Sequence, residues 1–445
     1  MTAAVAVNGA DLPDEAAIRA AALEPEVMQA QSVGLLGYVY GYPIVDMLKQ
    51  MHNETHRVRV DQPVAAPVNR FAVYPGVLTP KTQGQLRGAN SDTLYINGWF
   101  DLSKGPVLID VPEMGDRYYT LAFMDLYSKP HHLGTRTNGG KATRYALVGP
   151  SGGDVPEGHV RFDLPTDIAW LLGRVLVVDP ADEPEGKRLS HAIKVTGEAG
   201  PDVCEAAAMN PFDSLLYFTL LNQGLKLLPR QPGEEALMAQ FNAVGFGPDC
   251  DFDAEALTPG QRLGLGWAVK IGPQVISQRG FRPTQTTNGW MLSSAIADPG
   301  MDYLLRAEVV RGGYVNEPEE SIYPAAITDD RGEMLTGERC YRIHFDADAM
   351  PPVGAFWSIT SYDMKTAQLT ENPLGRYAIG DRTPGLVYGA DGSLDIVLSA
   401  KLPAEGTSNW LAIPPGAFHL VTRLYLPAPE ALDGRYVLPV VERVD

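Results

Sequence analysis

Three separated segments hold the side chains that could do chemistry. In the first, GANSDTLYINGWF, the polar residues Asn90, Ser91, Asp92 and Thr93 lead into an aromatic-rich strand carrying Tyr95 and Trp99. In the second, YYTLAFMDLYSKPHHLGTRTNGG, period-two alternation puts Tyr119, Leu121, Phe123, Asp125 and Tyr127 on one strand face, with His131, His132 and Arg136 just beyond. In the third, FWSITSYDMKTAQLTENPLGRYAIGD, Ser358, Thr360 and Tyr362 share a strand face next to Trp357, and Asn372, Arg376 and Tyr377 follow in a loop. These types divide as acid–base catalysis needs. Asp92 or Asp125 serves as general base, Arg136 or Arg376 holds an anionic or carbonyl oxygen, and a hydroxyl such as that of Tyr127 returns a proton. Asn90, Thr93, Tyr95, Trp99, His131, His132, Trp357, Tyr362, Asn372, Arg376 and Tyr377 are then the expected substrate contacts.

Each group also has an architectural alternative. The Asn90–Thr93 run could only shape a turn. A carboxylate among aromatics is costly unless paired, and Arg136 is the nearest partner for Asp125. Tyrosine hydroxyls and the Arg376 fork could satisfy loop carbonyls.

Other patterns are decoys. Gly149-Pro150-Ser151-Gly152-Gly153 fits G-x-S-x-G, but a strand-like segment follows where a nucleophile elbow needs a helix. Asp249, Asp251 and Asp253 begin like a calcium loop, yet Ala254 and Gly260 occupy the glycine and glutamate positions. Gly264 and Gly266 are half of a dinucleotide fingerprint without a βαβ setting. His52 and His56 stand four apart without an obvious third ligand, so no metal site is expected and no cofactor either.

The elements that must position these residues alternate in type. Residues 14 to 57 read as helix, with a break at Tyr42-Pro43 because proline disfavours helical geometry before it. From about 70 to 180, short apolar runs separated by Gly, Pro, Asp and Asn indicate a β-sandwich or barrel-like unit. Residues 203 to 280 return to helix, with Asn210-Pro211 as one start and Thr258-Pro259-Gly260-Gln261 as a capping box for another. From 301 the chain is β again, and Asp391-Gly392 reads as a hairpin turn between LVYGA and SLDIVLS. FRPTQTTNGW and DAMPPVGAF read as ordered loops. The fold class expected is α+β and β-rich: two β-sandwich or jelly-roll-like domains over 58–190 and 291–445, an N-terminal helical segment over 1–57 and a helical region over 191–290.

The 445 residues exceed a single hydrophobic core. Lys plus Arg number 36 against 54 Asp plus Glu, a balance of −18 that disfavours nucleic acid and anionic membranes. No run of 18 apolar residues suggests a transmembrane helix. Cys204, Cys250 and Cys340 lie too far apart for a CxxC pair or a disulfide framework, which fits a reducing compartment. With no basic, apolar leader pattern at the start, the expected location is the cytoplasm. A homo-oligomer is left open.

The segments GYPIVDM, NRFA, NSDTLY, GDRYYTLAFMDLY and GTRTNG resemble the domain of unknown function 1254. FWSITSYD, ENPLGRYAIGDRTPGL, DGSLDI, NWL and FHLVTRLYLP resemble the domain of unknown function 1214. The likeness runs from about 35 to 440. It implies two β-sandwich-like domains with a helical region and a bacterial origin, but no reaction. Gly88 and Ala89 depart from the commoner R-x-N-x-D-T-L-Y form, and His131-His132 replaces residues that are usually not histidine. The functional expectation is a cofactor-independent small-molecule enzyme, a lyase, isomerase, cyclase or hydrolase. Its pocket would be lined by Tyr95, Trp99, Asp125, Tyr127 and Arg136 and closed by the second domain. The competing class is a non-catalytic protein whose aromatics stack on a sugar or another small cyclic ligand; an assembly protein would instead expose a large apolar patch.

Overall fold

The structure, a computed structural model, describes residues 14, 16, 24–56, 66–84, 88–198, 209–279, 283, 285–292, 298–313, 316–404 and 406–444. The helix expected before 24, the start of the helical region at 203–208 with Cys204, and part of FRPTQTTNGW lie outside them.

Eight helices are described: α1 (Pro25–Thr55), α2 (Thr135–Asn138), α3 (Glu183–Ala192), α4 (Leu216–Leu227), α5 (Glu235–Ala243), α6 (Pro259–Arg279), α7 (Tyr303–Gly312) and α8 (Pro429–Leu432). The long α1 is apolar on most sides because α4, α5, α6 and α7 surround it. It runs straight through Pro43, against the expected break. Tyr38, Val39, Tyr40, Ile44 and Val45 are all buried on either side of that proline, and their packing outweighs its local preference. The backbones of α1 and α6 approach closely. A side chain at Gly264 would meet the Ala30 methyl at 2.4 Å, so this glycine serves packing rather than a nucleotide. The Thr258–Gln261 capping box forms in both directions, each backbone N–H donating to the other residue's side chain at 3.1 Å. The Asn210 cap does not start a helix: its Oδ1 accepts from Phe212 N, and α4 begins only at Leu216.

Nine strands are described in the first sandwich: β1 (Arg70–Val73), β2 (Thr93–Asp101), β3 (Val107–Val111), β4 (Tyr119–Asp125), β5 (Pro130–Gly134), β6 (Thr143–Val148), β7 (Val160–Asp163), β8 (Ile168–Leu176) and β9 (Lys194–Thr196). Five pair in the order β1-β2-β8-β4-β5 and four in the order β7-β6-β3-β9. Ile96, Phe100, Leu121, Phe123, Leu171 and Val175 fill the space between the two sheets with Ile109, Tyr145 and Leu147. Alternation sends their neighbours to the other face of the five-stranded sheet. There Trp99 and Trp170 pack under the helices, while Tyr95 and Arg174 lie towards the second domain.

The second sandwich comprises β10 (Gln285–Thr287), β11 (Trp290–Leu292), β12 (Ser321–Ile322), β13 (Ala325–Ala326), β14 (Tyr341–Phe345), β15 (Val353–Asp363), β16 (Ala378–Gly380), β17 (Leu394–Ser399), β18 (Trp410–Ala412), β19 (Phe418–Pro427) and β20 (Glu442–Arg443). A seven-stranded sheet centred on β15 and β19 faces the four-stranded β18-β17-β14-β20 sheet. The protein is thus α+β and β-rich, as expected. Asp391-Gly392 does form a turn, with Gly392 at φ 87°, but not a hairpin: β17 pairs with β14 and β18, not with LVYGA. The outer face of β15 and β19 meets the first domain, where Phe356 stacks on Tyr425 at 4.3 Å and Tyr118 packs against both.

Candidate functional site: a cleft between the two sandwiches

A cavity of about 420 Å³ opens where the two sandwiches meet. The first domain contributes the loop through Val77 and Thr79, the turn at Ser91-Asp92 and the end of β8 running into Pro180. The second contributes Phe356, Trp357 and Ser358 of β15 and the loop from Leu374 to Pro384. Its size and mostly apolar walls with a few polar groups suit a small organic molecule.

The Asn90–Thr93 run both shapes a turn and faces the cavity. Asn90 Oδ1 accepts from the Asp92 amide at 2.6 Å, and Asn90 Nδ2 donates to the buried Tyr425 hydroxyl. That Asx-type turn fixes the backbone from which Asp92 projects. Asp92 lies deep between the domains yet keeps a part-exposed edge on the cavity. Its Oδ2 accepts a hydrogen bond from Ser358 Oγ at 2.7 Å. Burial lifts its carboxyl above the ordinary aspartate range, an effect only partly offset by the charge of Arg423 and by the Ser358 bond. Arg423 is in register with Ser358 across β15 and β19, so both stand on the face turned to Asp92. It is buried and held by Thr360 Oγ1, Gly88 O and the Tyr362 hydroxyl.

On the opposite wall Arg376 donates from Nη2 to the carbonyls of Thr407 and Trp410. Burial alone lowers its pKa, and it forms no ion pair among the described residues. Asn372 holds this loop: its Oδ1 accepts from Leu374 N and its Nδ2 donates to the Arg376 carbonyl. Tyr377 follows, its phenol pushed up by burial and by Glu371. Trp357 forms part of the wall while its ring packs against Phe345 in the domain core. Asp381 accepts from the Trp357 amide at 3.2 Å, and Arg382 lies over the Phe356 ring.

Four expected residues therefore line one cavity: Asp92, Trp357, Arg376 and Tyr377. The others are elsewhere. Asp125 ends β4 and is 2% exposed, accepting from Tyr127 N and Lys129 N, with His131 Nε2 at 2.9 Å. Arg136 does not reach it. That guanidinium crosses to Glu320 at 2.9 Å and Glu317 at 2.6 Å in the second half of the chain. Tyr127 lies beyond the end of β4, its hydroxyl donating to the Pro229 carbonyl and its ring beneath Arg306. His132 is buried with Nδ1 2.9 Å from Thr120 Oγ1. Trp99 donates to Glu54 under the helices, and Thr93 is fully buried in β2. Tyr362 donates to the Ala89 carbonyl, and Tyr95 packs beside Arg174 behind the cleft.

Sequence reasoning passed over Arg423, Asp381 and Arg382. For Arg423 a signal existed. In FHLVTRLY an arginine falls on the same face as Val421 and Tyr425, and a charge on an otherwise packed face needs a partner across an interface. His52 and His56 stack on each other at 4.5 Å, and Asp249 and Asp251 pair with Arg230 and Lys226. The described residues hold no cluster of three or more metal-ligating side chains. No described helix is long and apolar enough to cross a membrane.

Comparison with solved structures finds a likeness to the VPA0106 protein of Vibrio parahaemolyticus at 21% identity and TM-score 0.69, covering 94% of this chain and 100% of that one. An uncharacterized protein from Burkholderia cenocepacia aligns at 11% identity and TM-score 0.46, over 97% and 98% of the two chains. The first likeness is one of fold. Comparison with curated proteins gives no match. Family models match Protein of unknown function (DUF1254) over residues 68–197 and Protein of unknown function (DUF1214) over residues 320–429. The chain belongs to the tandem family in which a DUF1254 domain is followed by a DUF1214 domain.

Proposed function

We propose that the protein is a cofactor-independent small-molecule enzyme working in the cleft between its two sandwiches. One observation carries the reading: Asp92 presents a carboxyl of raised proton affinity to a cavity large enough for a substrate. A carboxylate whose pKa is moved towards neutrality is the better general base, because proton transfer is most efficient when donor and acceptor are matched. In the reaction cycle Asp92 takes a proton from the substrate, and Ser358 and Arg423 support the ionised carboxylate before the transfer. Arg376 lines the same cavity without a carboxylate partner among the described residues and holds the oxygen on which negative charge develops. Tyr377, protonated across the neutral range, returns a proton. That division of labour serves a lyase, isomerase, cyclase or hydrolase acting next to a carbonyl. The sparse, separated cysteines favour a cytoplasmic setting.

A second reading, a non-catalytic binder, rests on the apolar walls formed by Val77, Leu176, Val177, Phe356 and Trp357, which suit stacking or enclosure of a ring. Screening the full chain against carbonyl-bearing metabolites for turnover and, in parallel, for binding separates the two. Turnover that collapses in Asp92→Asn while ligand affinity stays within a few-fold supports the enzyme. Tight binding with no turnover by the unaltered protein leaves the binder.

A further inference from the structure

We infer that the protein has a second ligand site, an oxyanion-binding seat centred on Arg174, separate from the Asp92 cleft. The seat lies on the outer face of the five-stranded sheet, along the seam between the helices and the second domain. Strand register builds it. Tyr95 stands opposite Arg174, and Asn97 opposite Leu172, with Thr120 and Ala122 completing the two rows on β4. Leu172 is the one part-exposed residue of β8, although β8 is the central strand of the sheet and its same-face neighbours Trp170 and Arg174 are buried. It packs against both the helical core and the interdomain cluster. The seam is therefore incompletely closed over the middle of this face.

The hydrogen bonding at the seat is unbalanced. Arg174 is 7% exposed and forms no ion pair among the described residues. Its Nη1 donates to Asn316 Oδ1 at 3.0 Å and, at 3.5 Å, to its neighbour's carbonyl on Leu172. Asn316 spends its amide on the Tyr323 hydroxyl, so it brings no charge to the pair. The Tyr95 ring lies against the guanidinium, and its hydroxyl, in a residue 8% exposed, has no hydrogen-bond partner among the described residues. The Tyr425 hydroxyl, also near Arg174, accepts a hydrogen bond from Asn90 Nδ2 and keeps its own hydrogen to donate. Burial holds the Tyr425 phenol well above its ordinary pKa, so it is a neutral donor.

The nearby carboxylates are already committed. Glu320 accepts from Tyr118 and pairs with Arg136, and Asp92 accepts from Ser358. At the other end of the face Glu54 takes donors from Gln50, Asn97 and Trp99. Among these described groups, donors outnumber acceptors around Arg174. A buried guanidinium without a counter-charge is costly, and a face-on tyrosine recovers only part of that cost. An oxyanion supplies what is missing: a charge-assisted, two-pronged contact to the arginine and an acceptor for the Tyr95 and Tyr425 hydroxyls. The ligand class is a small molecule bearing a carboxylate or phosphate group, its apolar part resting over Leu172.

Isothermal titration of the full chain with inorganic phosphate, acetate and benzoate tests this, and the arms distinguish phosphate from carboxylate. Saturable one-site binding of at least one probe is expected. Tyr95→Phe, which keeps the ring and removes one donor, should weaken it about two- to tenfold, and Arg174→Lys about tenfold or more. Failure of all three probes to saturate overturns the inference. So does undiminished affinity in Tyr95→Phe, which decides the matter if Arg174→Lys does not fold. Loss of binding in Arg376→Gln with Tyr95→Phe unaffected would place the anion in the cleft instead.

Discussion

Asp92 and Asp125 are both aspartates beside aromatic strands of the same sheet, yet the fold uses them in opposite ways. Asp125 makes the last pairing of β4, opposite Ala169 of β8, and the chain turns around it at once. Two backbone amides at 2.8 and 3.0 Å and His131 at 2.9 Å occupy its oxygens. Asp92 precedes β2, and its turn is closed for it by Asn90. Among the described residues its carboxylate therefore accepts a side-chain hydrogen bond only from Ser358 of the other domain, and it is left facing a cavity. A carboxylate saturated by its own loop is architecture, whereas one whose loop is closed by a neighbour remains available to a ligand.

The sharpest way to break that contrast is Asp92→Asn, expected to lower turnover of the substrate found by screening about a hundred- to ten-thousandfold. The same change should stabilise the protein. The folded-state pKa of Asp92 is raised above 3.8, so the folded chain holds that proton more tightly than the unfolded chain does. Stability contributed by this group therefore falls as pH rises from about 3.8 through the raised value, and asparagine removes the penalty. Thermal melts above that window should show Asp92→Asn melting higher than the unaltered protein, and a lower melting point there would contradict this reading of Asp92.

Asp125→Ala should do the reverse. It strands two amides and an imidazole, and the expected loss is about 3 kcal/mol or more in denaturant melts. Any activity should persist in the folded fraction. Activity loss without destabilisation would erase the distinction between the two aspartates.

A second comparison concerns His131 and His132, adjacent in sequence and opposite in setting. His132 Nε2 accepts from the Glu317 amide at 3.4 Å, leaving Nδ1 to donate to Thr120 Oγ1. Burial and the charges of Arg174, Arg136 and His131 press its pKa well below 6.5. The unfolded chain then binds a proton that the folded chain refuses, so this group costs stability progressively as pH falls below about 6.5. His132→Gln should flatten that part of the stability–pH curve. An unchanged slope would mean that His132 charges in place.

Much of the fold was legible because period-two alternation and caps are local. TLYINGWF, YYTLAFMD and FHLVTRLY all read as strands and are strands. Thr258-x-x-Gln261 read as a capping box and is one. Pro43 misled because the burial of Tyr38, Val39, Tyr40, Ile44 and Val45 around it overrode a local preference. The site was legible only where one strand or loop both bears a group and presents it, as with Asp92, Trp357, Arg376 and Tyr377. Partner choice was not. Arg136 is 11 residues from Asp125 in the sequence but finds Glu320, 184 residues away, because the second domain docks against α2. Neither end of that contact carries a local signal.

The smallest change sharpens the comparison from the side of the second domain. Among the described residues, Ser358→Ala removes the hydroxyl that donates to Asp92 Oδ2 and leaves the charge of Arg423 to support the carboxylate. The hydrogen bond favours the ionised form, so its loss moves the Asp92 pKa further up. A general base must be deprotonated to act, so the acidic limb of the pH–rate profile should shift to higher pH. At pH values well above that limb the rate should change by less than about tenfold, in keeping with the roughly 1 kcal/mol value of a single hydrogen bond. Binding energy alone would lower the rate equally at every pH. A uniform drop with an unmoved limb would therefore show that Ser358 positions the substrate, and that the proton affinity of Asp92 is set by burial and Arg423 without it.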